Sequence, residues 1–506
     1  MDLVIDKINR FIILITFVLA IIEIALFSLI DGIGALMFSL SWYILSISVF
    51  RYENIIKHTI PFFVLFSYAL CFFFLPLVCT LIEYKPLTHN FKVPIETFIH
   101  QFLFLITLIL AFQVITKMGE NKIRLFFVRH TSFFLPLNNK EIWFLGLIGI
   151  TSFTFSIFAP DTSLLGKVTD GLRFLAAAPI LLLFPSLYNG NYLEKPNKKT
   201  VRVVLYYTLI YIFLGMARNS RMAMLFLMID AALIFLLYLI ICNVSIKSFI
   251  KIKYLIGVLL GLYILSGPLS DIGIAMIKVR GTRSETDPIT LMKNTWNFYQ
   301  SPHFNDYKKI FYLRDKGMNN DMWSEDYIDH VFLNRLCNLR VSDATLYYAN
   351  KLGYTNSSMQ ESFYDQLLAN LPAGLVSSQF KESTRYSAGD KLYALATGRS
   401  YAIGGYRVAG YTGTGLATFG YSFYIISFFF YIICFYLLDA FSFNAKDRFF
   451  VSIFALLHID TWFYFFNNGA GILRNILYMC RGYFQDLALF ILMVLLARFI
   501  LKKSDI

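Results

Sequence analysis

Runs of about 20 apolar residues recur along most of this chain, and no other feature restricts its fold so strongly. Wound as a helix at 1.5 Å per residue, such a run crosses the roughly 30 Å hydrocarbon core of a bilayer. The first, Phe11 to Ile30, follows Lys7 and Arg10 and has no small-residue cleavage site after it, so a retained anchor is expected rather than a signal peptide. Further spans are expected at 32–50, 60–82, 95–116, 142–159, 171–187, 203–217, 222–241, 254–277, 416–438, 449–467 and 484–500, or about twelve crossings. With 57% hydrophobic and only 15% charged residues, the chain is too apolar for a soluble enzyme. The expected fold is an all-α polytopic membrane protein.

Charge orients it. Arg51 and Lys57, then Lys117, Lys122, Arg124, Arg129 and Lys140, then Lys195, Lys198, Lys199 and Arg202, then Lys247, Lys251 and Lys253 all fall on one side. By the positive-inside rule that side is the cytoplasm, and it holds both termini. The turns at 31, 83–94, 160–170, 218–221 and 468–483 then face outward, with the long stretch 278–415. Three regions follow: spans over 1–277, an extracytoplasmic domain over 278–415, and the last spans over 416–506. The net charge of +13 is accounted for by these loops and by contact with anionic lipid, so phosphates at a membrane are expected as partners, and nucleic acid is not. The six cysteines have no metal-ligand or CxxC spacing, and no disulfide framework follows.

The outer stretch reads as mostly helical. Ser358-Met-Gln-Glu361 is a capping-box sequence ahead of Phe363, Leu367, Leu368 and Leu371, with Pro372 as a stop. Residues 324–352 carry an amphipathic pattern with Ile328, Phe332, Leu336 and Leu339 on one side. A lid or substrate cradle is expected, since long loops are usually functional. His303 and His330 are expected to be surface histidines without a reactive role, and the many outer tyrosines and tryptophans suit either sugar rings or a membrane interface.

The candidate site residues are mainly arginines. Arg218-Asn-Ser-Arg221 lies at an outer turn where Asn219 or Ser220 can cap the next helix. Two cations beside a positive helix end call for an anion, and a diphosphate at headgroup depth fits their guanidinium forks. Arg474 and Arg481, seven residues apart, share a face if their segment is helical. Asp230 and Asp460 lie inside apolar runs, and one or the other is expected to compensate an outer arginine. No metal cluster, phosphate loop or nucleotide-sugar fold appears, so neither metal nor cofactor is expected.

The many spans, the large outer domain before the last three, the basic motif at 214–221, Phe332-Leu-Asn-Arg335-Leu-Cys-Asn-Leu-Arg340-Val-Ser-Asp343, Ser387-Ala-Gly-Asp-Lys391 and Thr414-Gly-Leu-Ala-Thr-Phe-Gly420 together resemble the O-antigen and capsule repeat-unit polymerases of bacteria. The resemblance implies a GT-C-like architecture in the inner membrane. It also implies a metal-independent glycosyltransferase that uses undecaprenyl-diphosphate-linked oligosaccharides on the periplasmic face, with a flippase and a chain-length regulator as partners. Arg399 and Gly410 match an arginine-to-glycine spacing described for such polymerases. On this reading Arg218, Arg221, Arg399 and Arg407 are catalytic, and Arg335, Arg340, Lys391, Tyr406, Arg474 and Arg481 bind substrate. An O-antigen ligase and a lipid-linked oligosaccharide flippase are the alternatives. Neither His303 nor His330 has the glycine spacing of the ligases, and a large outer domain is foreign to transporters.

Overall fold

A computed structural model describes residues 3–503 apart from 132, 135, 159–163, 190–195, 245–260, 262, 264, 283–285, 314–321, 331, 371–385, 446–447 and 467–470. Among the described residues nine helices are long and apolar enough to cross a membrane. They are α1 (Val4–Leu26), α2 (Leu29–Ser48), α3 (Thr59–Ile82), α4 (Pro94–Lys117), α5 (Asn139–Phe158), α6 (Lys198–Ala217), α7 (Arg221–Ile241), α8 (Ser422–Asp439) and α9 (Ile472–Leu501). The chain is therefore a nearly all-helical, multi-pass membrane protein. Its lipid-facing stripes are plain on α1, where Phe11, Leu14, Phe17 and Ile21 are exposed, and on α8, where Ile425, Phe429 and Ile433 follow the helical repeat.

Several expected spans are drawn differently. The first break comes at Phe27, because the Ser28 hydroxyl caps α2 by accepting from Asp31 N; the runs placed at 11–30 and 32–50 thus become Val4–Leu26 and Leu29–Ser48. The run at 171–187 is not one helix. Pro179 and Pro185 leave it as 3-10 turns at Arg173–Ala177 and Pro185–Leu187 around a single α turn, with Leu175 to Leu181 buried. Ala176 packs on Gly149 and Pro179 on Gly146, so the segment runs antiparallel to α5. A Cβ on Gly149 would stand 2.0 Å from Ala176 N. Irregular backbone at membrane depth survives only where protein surrounds it, and here the Tyr207 hydroxyl donates to the Gly146 and Ala176 carbonyls at 3.0 and 2.9 Å.

The run at 449–467 is likewise divided. Its first residues form a hairpin strand, β2 (Arg448–Val451), antiparallel to β1 (Ser442–Ala445), and the rest is two five-residue helices that break at His458. The run at 416–438 is cut at Gly420, which sits at φ 60°, so α8 starts at Ser422, and Tyr411–Phe419 is a separate buried helix into which the boundary at 415 falls. The run at 484–500 is the end of α9, which begins twelve residues earlier at Ile472. The run at 254–277 lies partly outside the described residues, and its second half is the π-helical Leu265–Leu269 and the helix Ser270–Val279.

The loops separate to opposite ends of the bundle. At one end Val4 N donates to Asn243, the Tyr52 hydroxyl to Ile241 O, and Arg124 and His58 both pair with the buried Asp439, at 2.6 and 2.8 Å. At the other end the 83–94 loop receives the polar stretch: Asp343 accepts from Lys92 N and Val93 N, Glu83 from Asp329 N and His330 N, and Lys85 pairs with Asp329 at 2.7 Å. Arg218 and Asp170 meet at the same end.

In the polar stretch, residues 324–330 and 332–338 are extended and turn structure with a 3-10 turn at Leu333–Arg335, and the helix starts only at Leu339. Ile328 and Phe332 are still buried, so the apolar pattern marks a docked segment instead of a helix face. The helix Ser357–Ala369 is capped one residue before its start, by Asn356, whose side chain accepts from Met359 N; Ser358 lies inside it.

Candidate anion-binding site

The α6–α7 turn is closed by Asn219 at φ 51°, and the Ser220 side chain caps α7 by accepting from Ala223 N at 3.3 Å. Arg221 is thus the first helical residue. Its stem passes over Gly273, where a Cβ would lie 3.3 Å from Arg221 Cδ. It enters a cavity of about 190 Å³ lined by Arg221, Ile277, Arg280, Phe311, Tyr312, Asp326, Ile328, Asp329, Asn334 and Arg335.

Three chain segments far apart in sequence bring the three guanidinium groups together. Arg280 ends the Ser270–Val279 helix, and Arg335 ends the 3-10 turn. That turn is built by its neighbours: Asn334 Oδ1 accepts from Tyr327 N and Ile328 N, and His330 Nδ1 accepts from Phe332 N and Leu333 N. Burial lowers the pKa of His330, which keeps the ring neutral and able to accept. Arg335 and Arg280 both lie close enough to Arg221 to repel it. Of the two lining carboxylates, Asp329 is already held by Lys85. Arg221 and Arg335 form no side-chain hydrogen bond or ion pair among the described residues. The α7 N-terminus adds its own positive end. Asp326 in the lining and Glu325 near Arg335 offset these cations only in part, and guanidinium forks suit phosphate oxygens.

Of the residues singled out from sequence, only Arg221 and Arg335 meet here. Arg218 turns to the other side, stacking over the Phe153 ring at 5.6 Å with Asp170 3.5 Å away, so it does not share a ligand site with Arg221. Arg407 pairs with the buried Asp390 at 2.9 Å and lies over the Tyr393 ring. Tyr406, at φ 52°, donates its N–H to Asp390; Lys391 lies over Tyr386; and Arg399 donates to the Tyr393 hydroxyl at 2.9 Å. The 387–407 motif is thus the helix Ala388–Thr397 with its following loop folded back on the carboxylate of Asp390 in its first turn. Burial opposes ionisation of Asp390, yet the N–H groups of Arg407, Ser387 and Tyr406 and the Arg407 guanidinium outweigh it and hold its pKa below the ordinary value. Arg340 pairs with Asp343 at 2.8 Å in the interior of the domain. Arg474 and Arg481 both lie on α9, Arg481 within its π-helical turn Tyr478–Gly482, and Arg481 donates to Asn370 O.

Of the two intramembrane carboxylates, Asp460 lies near an arginine at this end, Arg173. Asp230 is fully buried, and neither of its oxygens has a hydrogen-bond partner among the described residues. Asp460 accepts from Thr461 N and lines a second cavity, of about 170 Å³, with Arg173, Tyr211, Ser220 and Tyr464. Sequence reasoning missed Arg280 and Arg173. Arg280 carried a readable signal, because Lys278 and Arg280 are cations directly after a span, on the side where topology does not ask for them. Among the described residues no cluster of three or more His, Cys, Asp or Glu could hold a metal. The chain matches no family model, no curated protein and no solved structure.

Proposed function

We propose that this protein joins undecaprenyl-diphosphate-linked oligosaccharide repeat units into O-antigen or capsular polysaccharide at the periplasmic face of the inner membrane. The observation that carries the reading is the convergence of Arg221, Arg280 and Arg335 on one cavity at the end of the bundle opposite the basic loops. A diphosphate attached to a membrane lipid is the anion available there. In the reaction a sugar hydroxyl of one unit attacks the anomeric carbon of the other chain, and the lipid diphosphate leaves with charge growing on its oxygens. Arginines aimed at those oxygens hold the transition state more tightly than the ground state. A good leaving group also lowers the demand for a strong base. In this reading the nine long helices, the two broken segments and the span at 254–277 supply the twelve crossings, and Arg221 with Arg335 and Arg280 replaces the wider set of arginines as the leaving-group clamp.

Deletion of the gene followed by electrophoresis of surface glycan tests the reading. A single repeat unit on the lipid is expected. No unit transferred at all points to a ligase, and units trapped on the inner face point to a flippase; either outcome overturns it.

A further inference from the structure

The helix Pro288–Gln300 has three distinct sides. Leu291, Met292, Thr295 and Tyr299 face the protein, where Met292 and Tyr299 pack with Ile212 and Met216 of α6 and with Met224, Ile272 and Met276. Thr290, Asn294 and Asn297 form a polar exposed side. Between these two lie Ile289, Lys293, Trp296 and Gln300, at i, i+4, i+7 and i+11, all exposed, with Ile289 at 51% and Trp296 at 44%. A bulky aliphatic residue, an indole and a lysine on one exposed side are unexpected in water and suited to the boundary of headgroup and acyl chain.

Position supports the same assignment. This helix docks on the terminal turn of α6, whose own Leu205, Tyr206, Ile210 and Phe213 are exposed and form a lipid-facing stripe that ends just below it. We propose that Pro288–Gln300 lies in the outer headgroup layer, with Ile289 and Trp296 inserted and Lys293 on lipid phosphates, as a continuation of the α6 lipid face. Its partner is thus a phospholipid surface, and the claim stands whether or not the polymerase reading does. The consequence is positional. The next helix, His303–Leu313, supplies Phe311 and Tyr312 to the arginine cavity, which this placement sets at headgroup depth.

The test uses full-length protein in phosphatidylcholine vesicles containing phosphatidylglycerol. The Trp296 signal is taken as the difference between wild type and Trp296→Phe. It is expected to be blue-shifted, to lose intensity with nitroxide lipids labelled near the headgroup, and to lose little with aqueous iodide. Quenching by iodide with no effect of the lipid nitroxides overturns the proposal. Ile289→Cys in a Cys480→Ser background, carrying an environment-sensitive fluorophore, repeats the measurement without touching the indole and must agree.

Discussion

At the level of single residues the question is which arginines meet a ligand and which hold the fold together, and the two groups should separate on substitution. Charge-assisted hydrogen bonds contribute roughly 1.5–3 kcal/mol each. Losing one that strengthens in the transition state should slow polymer extension by about 10 to 150 fold. Arg221→Ala and Arg335→Ala are expected to shorten surface polymer at normal protein abundance, and Arg221→Lys to remain impaired because an ammonium lacks the planar fork. Polymer length in a deletion strain, at matched expression, checks this; full-length polymer from both alanine variants removes these residues from the site. Arg407→Ala should instead lower abundance and thermal stability, since it strips a partner from the buried Asp390. The pH dependence has a defined sign. The folded pKa of Asp390 is depressed, so its stabilising contribution is fully present above the unfolded value and is lost as pH falls through the folded one. Thermal unfolding between neutral and acid pH should therefore drop more in wild type than in Asp390→Asn.

Elements were legible where a run of apolar residues is also a helix, and illegible where it is not. The expected spans at 60–82, 95–116, 142–159, 203–217 and 222–241 fall within a few residues of α3 to α7, because length and hydropathy decide them. At 171–187 and 449–467 the same hydropathy belongs to broken segments buried by their neighbours, and burial by protein or by lipid leaves the same composition. Arg221 was legible from its turn, but its partners were not. Arg280 and Arg335 arrive through packing of segments 59 and 114 residues away, which no local pattern encodes. The broken segment is also the place where packing is most exposed to test. Gly149→Val puts side-chain atoms where the Ala176 backbone lies, and overpacking of this kind costs about 1–3 kcal/mol. The variant should unfold at a lower temperature in detergent, whereas substitution at Gly119, which has nothing within 4 Å of its Cβ position, should not.

On the scale of the whole molecule, the fold is a bundle with chemically unlike ends. One end is closed by the Asp439 hub, where His58, Arg124 and Asn121 converge between loops rich in lysine and arginine. The opposite end carries the polar domain, docked through Asp343 and Glu83 onto the 83–94 loop. The positive-inside rule acts on short loops, so it assigns the hub end to the cytoplasm, and the arginine cavity then opens where topology alone gives no reason for cations. That separation supports the proposed ligand reading of the cavity, and it is open to a direct measurement. Tyr401, 79% exposed in the polar domain, and Lys122, at the hub end, are replaced one at a time by cysteine in a Cys480→Ser background. In intact spheroplasts an impermeant maleimide is expected to label Tyr401→Cys, and Lys122→Cys only after lysis. The reverse pattern would invert the molecule, place Arg221, Arg280 and Arg335 among the cytoplasmic loops, and leave lipid headgroups of the inner leaflet as their ligand.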